Sequence, residues 1–143
     1  MILPDVNVLL YAVDSTSARH ERARRWVEAS LSGAESVAMA WSVLTACVRL
    51  STRPSVFDRP LTADQAFDLV DGWLAQPAVV IIHPTDRHHV ILRELLAPLG
   101  TAGNLVPDAH LAALAIEHGA EIASCDHDFA RFAGLRWSDP LAT

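Results

Sequence analysis

Four aspartates, Asp5, Asp108, Asp126 and Asp128, stand where apolar runs break into turns, and they are the residues best placed to act together. Taken singly each has a structural use, because aspartate is a favoured N-cap and turn residue. A group is harder to accommodate. Two carboxylates about 4 Å apart repel by roughly 4 kcal/mol at an effective dielectric near 20, so a cluster of them calls for a cation. The chain cannot supply a lysine, since all eleven of its basic residues are arginines. Oxygen-only ligands at an open site favour Mg²⁺ or Mn²⁺ over softer metals. A hard cation held in this way lowers the pKa of a bound water, orients it and stabilises charge on a phosphoryl oxygen, which is the chemistry of phosphodiester hydrolysis.

The elements that must bring the acids together follow from the pattern around them. Residues 2–4 form a short buried strand and residues 8–13 the start of an amphipathic helix, so Asp5 falls at the strand's carboxyl end, where α/β sheets bind ligands. Residues 20–31 have helical periodicity, with Arg19, Arg22, Arg24 and Arg25 near the start. That polar face is either simply solvated or a landing strip for phosphates. A second strand covers residues 36–40. An apolar helix follows over 41–52, with Ser42 as its N-cap, and Thr62 and Gln65 form a capping box opening a helix to about residue 76, with Phe67, Val70 and Leu74 on its buried side.

The continuous apolar run at 78–82 suits a central parallel strand covered on both faces. Asp86 caps a helix to residue 96, residues 101–105 are a glycine-containing loop, and Pro107 opens an alanine-rich helix over 108–118. Residues 121–124 form a further strand, 126–132 a turn or short helix, and 135–137 an edge strand. Strands alternating with helices indicate a three-layer α/β/α sandwich around a mostly parallel sheet, with the strand ends and all four acids on one rim.

Composition sets the frame. The 143 residues, 51% hydrophobic and 20% charged, suit one domain spanning 1–143 with a sizeable core. No segment approaches the roughly 18 apolar residues of a membrane helix, and no basic region precedes the apolar start, so the expected location is cytoplasmic and no membrane partner is expected. Cys47 and Cys125 lie far apart without C-x-x-C spacing, which argues for buried thiols. The formal charge of −6 weighs against a nucleic-acid partner until its distribution is considered.

Three stretches now point to a family. Ile-Leu-Pro-Asp5-Val-Asn7-Val-Leu-Leu-Tyr, Gly103-Asn104-Leu-Val-Pro-Asp108-Ala-His and Ser124-Cys-Asp126-His-Asp128-Phe-Ala-Arg-Phe resemble, in order and spacing, the PIN-domain ribonucleases, above all the VapC toxins of bacterial toxin–antitoxin pairs. The resemblance spans essentially the whole chain. It implies a Mg²⁺- or Mn²⁺-dependent endoribonuclease that cleaves RNA. It also implies a homodimer that forms a hetero-oligomer with a VapB-type antitoxin, whose tail enters the active site. By the same likeness Asp5 and Asp108 are the main metal ligands, Asp126 completes the site, Asp128 assists through water and Asn7 lines it. Arg19 and Arg22 are candidates to hold RNA phosphates.

One position departs from the family pattern. Members carry glutamate in a helix-borne motif like Val-Leu-x-Glu-Phe-x-Arg, where this chain has Val43-Leu44-Thr45-Ala46-Cys47-Val48-Arg49. Ala46 stands in the glutamate's place. The alternative reading is therefore a catalytically weak or inactive PIN-like module that binds RNA or an antitoxin. Other classes fit less well. His83, His88, His89, His110, His118 and His127 form no H-E-x-x-H or Cys/His set for zinc, so His110 and His118 are expected to cap or face solvent, and His127, between two acids, to meet substrate. There is no G-x-S-x-G elbow for a serine hydrolase, and no lysine for a P-loop or a receiver domain.

Overall fold

The computed structural model describes residues 1–100 and 102–143. Five short strands, β1 (Ile2–Pro4), β2 (Val37–Met39), β3 (Val79–Ile81), β4 (Glu121–Ala123) and β5 (Trp137–Ser138), form a sheet in the order β3-β2-β1-β4-β5. Every pairing is parallel. Parallel neighbours need crossovers, and six helices supply most of them. Helices α1 (Val6–Val13) and α2 (His20–Leu31) join β1 to β2; α3 (Trp41–Ser51) and α4 (Ala63–Leu74) join β2 to β3. Helices α5 (His88–Leu96) and α6 (Val106–His118) carry the chain back across the sheet to β4.

Right-handed crossovers running in opposite directions fall on opposite faces of a sheet, which places α1–α4 on one side and α5–α6 on the other. The packing agrees: α1 lies against α2 and α3, α3 against α4, and α5 against α6. The expected three-layer sandwich results. Its core joins Leu3, Val37, Met39 and Ile122 of the central strands to Leu9, Leu44 and Leu114 of the helices. Helix α6 buries Ala109, Leu111, Ala112, Ala113, Leu114 and Ala115, small side chains that let it lie close on the sheet, until Gly119 ends it with a left-handed φ of 66°. Among the described residues no helix is long and apolar enough to cross a membrane.

The direction of the chain across the sheet reverses between β1 and β4. In open α/β sheets such a switch point opens the crevice that binds ligands, and Asp5 and Asp126 follow the two strands that flank it.

Several local expectations change. The run at 78–82 is not central: β3 is an edge strand, with Val80 and Ile81 exposed. Continuous hydrophobicity marks a strand without fixing its rank in the sheet. Ser42 does not cap α3, which begins at Trp41 with Ala40 at the N-cap and no side chain on its amides. Asp86 does not cap α5 either; Arg87 occupies that position, and the Arg87 N–H donates to Thr85 Oγ1. Phe67, expected inside, is 50% exposed, while Val70 on the same helix is buried.

The capping box is present, with Gln65 N–H donating to Thr62 Oγ1 and Thr62 N–H to Gln65 Oε1. Within the loop expected at 101–105, Thr101 lies outside the described residues, and Gly103–Leu105 form a 3-10 turn leading into α6. The last strand falls at Trp137–Ser138, slightly beyond the expected 135–137.

Candidate active site

Asp5 ends β1 and begins α1. Its extended backbone lets the carboxylate turn back to cap the helix, and Val6 N–H donates to Oδ1 at 2.7 Å. The residue is 8% exposed, so its other oxygen needs partners from the protein. Ser124 Oγ donates to Asp5 Oδ2 at 2.7 Å, and Asn7 Nδ2 does so at 3.3 Å.

Ser124 is the hub of this arrangement. Wholly buried just after β4, its hydroxyl also accepts from Asn7 Nδ2 and from Asp126 N–H, each at 3.0 Å. Asn7 completes the bracket, since Cys125 N–H donates to its Oδ1 at 3.2 Å. The ends of β1 and β4 are thus tied by side chains beyond their ladder. The sequence held Ser124 inside a motif without giving it a role; its only signal was a hydroxyl two residues before the acid pair.

Asp126 caps a 3-10 turn, His127–Arg131, by accepting from Asp128 N–H at 2.9 Å. Asp108 lies in the first turn of α6, where the partial positive charge of the helix end favours an anion. One carboxylate oxygen from each of Asp108, Asp126 and Asp128 lies within 4.8 Å of the others, with Asp108 and Asp126 half-buried and Asp128 exposed. Asp5 is not one of this trio, but its charge acts on Asp108.

The acids feel one another. Burial, and then the charges of Asp126, Asp5 and Asp128, push the Asp108 carboxyl up to about 6. Asp5 is raised chiefly by burial, against the hydrogen bonds from Ser124 and Val6, with a further push from Asp126. Among the described residues none of the four is in a salt bridge. Three converging carboxylates with a further acid acting on them and no basic partner make a donor set that fits a hard divalent cation.

The helix that carries Ala46 packs against α1 and comes near Asp5. Burial and the charge of Asp5 push the thiol of neighbouring Cys47 up to about 12, so α3 approaches Asp5, but it brings no carboxylate. The basic residues near α2 divide. Arg24 and Arg25 pair with Glu21 and Glu28 of the same helix, and Arg22 Nη1 donates to the Leu141 carbonyl at 2.8 Å. Arg19 is exposed, stacks over the Tyr11 ring at 5.5 Å and lies near Cys125 in the loop before the acids.

Of the histidines, His127 is exposed between Asp126 and Asp128. His110 does not face solvent as expected: its Nδ1 lies 2.9 Å from His88 Nε2, between α5 and α6. His118 Nε2 donates to the His83 carbonyl at 2.7 Å.

Residues 2–135 match the family model of the PIN domain. The chain belongs to the PIN-domain family. It is 51% identical over 142 residues to ribonuclease VapC37 of Mycobacterium tuberculosis and 43% identical over 141 residues to ribonuclease VapC33 of the same organism. Each alignment covers 99% of both chains. Within the PIN-domain family the protein therefore belongs with the VapC ribonucleases.

Solved structures share its fold. VapBC2 of Rickettsia felis, bound to a promoter DNA fragment, superposes with a TM-score of 0.70 at 20% identity, covering 96% of this chain and 98% of that one. M. tuberculosis VapC20, a toxin that cleaves the sarcin–ricin loop, gives 0.64 at 20% identity, covering 95% and 99%.

Proposed function

We propose that this protein, a single PIN domain over residues 1–143, is the toxin of a type II toxin–antitoxin pair and a Mg²⁺- or Mn²⁺-dependent endoribonuclease. The observation that carries the reading is the convergence of Asp108, Asp126 and Asp128, with the charge of Asp5 acting on Asp108. Kinship to ribonucleases along the full chain supports it.

Asp5, Asp108 and Asp126 would hold the cation, with Asp128 reaching it through water. When bound, such an ion activates water and offsets charge on the scissile phosphate. The protein's own contribution is placement. Asn7 and Ser124 fix Asp5 and the Asp126 backbone in one frame, and the cap on α1 holds Asp5 in its extended conformation. Arg19, free of the intrahelical ion pairs that occupy Arg24 and Arg25, is the better candidate for a substrate phosphate; Arg22 is engaged with Leu141.

The partners on this reading are an RNA substrate, a second copy of the chain and a VapB-type antitoxin, and the location is the cytoplasm. Structural neighbours that are toxin–antitoxin complexes support the antitoxin.

Ala46 favours a second reading, a PIN module that binds RNA or its antitoxin with little or no cleavage, because α3 adds no acid to the site. Incubating the purified protein with several RNAs and Mn²⁺, beside Asp108→Asn, separates the two. Cleavage by the parent and not by the variant supports the nuclease. Equal inertness of both, with RNA or antitoxin still bound, supports the module.

A further inference from the structure

The loop that presents Asp126 and Asp128 is fastened on one side by Ser124. On its other side it meets β5 and the segment that follows it. Trp137 Nε1 donates to the Ser124 carbonyl at 3.0 Å, and the Trp137 ring meets the His127 imidazole edge to face, with centroids 5.2 Å apart.

Two residues further on, Asp139 joins two parts of this region. Leu141 N–H donates to its Oδ1 at 2.9 Å, and His127 Nε2 lies 3.2 Å from its Oδ2. Burial alone would raise the Asp139 carboxyl, but the hydrogen bonds from Leu141 and His127 help to hold it below the usual carboxylate range. The segment is itself anchored, with Leu141 4% exposed and its carbonyl held by Arg22.

We propose that Asp139 is a positioning residue for the metal site, holding through His127 the loop that carries Asp126 and Asp128 towards Asp108. This rests on the metal-dependent reading above. The geometry is economical, because His127 lies between the two acids, so fixing it fixes the backbone that carries both. The His127 side chain is 73% exposed, so little besides Trp137 and Asp139 can hold it. Arg22 serves the same end by anchoring Leu141.

Purified protein titrated with Mn²⁺ and followed by electron paramagnetic resonance tests this without reference to cleavage. Outer partners of metal ligands are typically worth tenfold or more in affinity, so Asp139→Ala should weaken Mn²⁺ binding about tenfold. Asp139→Asn, which can still accept from Leu141 and meet His127 through its amide, should restore most of it. His127→Ala cuts the same link at an exposed position that does not threaten folding, and should weaken binding about threefold. Val70→Ala, in the core on α4, controls for stability: it should lower the melting temperature and leave Mn²⁺ affinity alone.

If the Asp139 and His127 variants bind Mn²⁺ within twofold of the parent, the positioning role is overturned while the nuclease reading stands. If the parent itself binds no Mn²⁺, both fall together.

Discussion

The Ser124 hydroxyl donates to Asp5 Oδ2 at 2.7 Å, joining residues 119 apart in sequence at the ends of two neighbouring parallel strands. That one group also accepts from Asn7 and from the Asp126 backbone, so the positions of two acids depend on a single buried oxygen. The frame stands on the sheet, while the acids it sets face the crevice of the switch point.

Replacing that oxygen should therefore damage both stability and the site. Ser124→Ala leaves a carboxylate oxygen, an amide and a backbone N–H short of partners where water is excluded, at a cost of about 1–3 kcal/mol. Denaturant unfolding of the variant without metal should show this loss, together with weaker Mn²⁺ binding. Parent-like stability would mean that the frame is held elsewhere.

Asp108 should behave in the opposite way. Its folded pKa of about 6 exceeds the 3.8 of a free aspartate, so the stability it contributes is complete below pH 3.8 and lost as pH rises through 6. Solvent screening at this half-exposed carboxylate leaves about 1 kcal/mol of that shift. With EDTA at pH 7.5, Asp108→Asn should thus unfold about 1 kcal/mol harder than the parent, and the gap should close towards pH 4. Saturating Mn²⁺ should raise the parent's melting temperature and leave the variant's nearly unchanged, because only a cation that binds the folded state stabilises it.

These contrasts show what the sequence could disclose. Asp5 and Asp126 were legible as strand-end acids because the apolar runs before them and the turns after them are local signals, and the class of the sheet followed from the alternation of those runs. The Ser124–Asn7 bracket was not legible, because whether a hydroxyl is solvated or shared depends on a strand more than a hundred residues away. The run at 78–82 gave a strand but not an edge, since periodicity reports covering and not neighbours. Ser42 and Asp86 are good capping residues placed slightly off the observed helix starts. Arg22 reads as one of four arginines near a helix start until its partner, the Leu141 carbonyl, is visible.

The seam between α5 and α6 predicts a separate pH response. Thr85 donates to Glu117 Oε1 from both its backbone N–H, at 2.9 Å, and its hydroxyl, at 2.6 Å, while His88 bridges from Glu117 Oε2 to His110. Burial, and then the neighbouring His88, hold His110 below the usual histidine pKa, with Glu117 opposing. A lowered folded pKa means that this contribution is present above pH 6.5 and lost as pH falls through the folded value. Protonating His110 puts a charge into this half-buried seam beside His88. The melting temperature of the parent should include a decline below pH 6.5 that His110→Gln flattens; parallel profiles would show that His110 does not titrate against folding.

Arg19 and Arg22 should part when tested side by side. An arginine that meets a phosphate releases counterion on binding, so Arg19→Ala should weaken binding of a non-cleaved RNA and reduce the slope of log K against log salt by about 1. The chosen RNA should be bound to protein carrying Asp108→Asn, so that cleavage does not intervene. Arg22→Ala removes a hydrogen bond from a charged donor to the Leu141 carbonyl, a bond of the kind worth about 1.5–3 kcal/mol, and should appear in unfolding with the salt slope unaltered. Measuring both variants in both assays makes the assignment reciprocal: a salt-slope change from Arg22 and a stability loss from Arg19 would exchange their roles, placing the RNA over the C-terminal segment and not beside Tyr11.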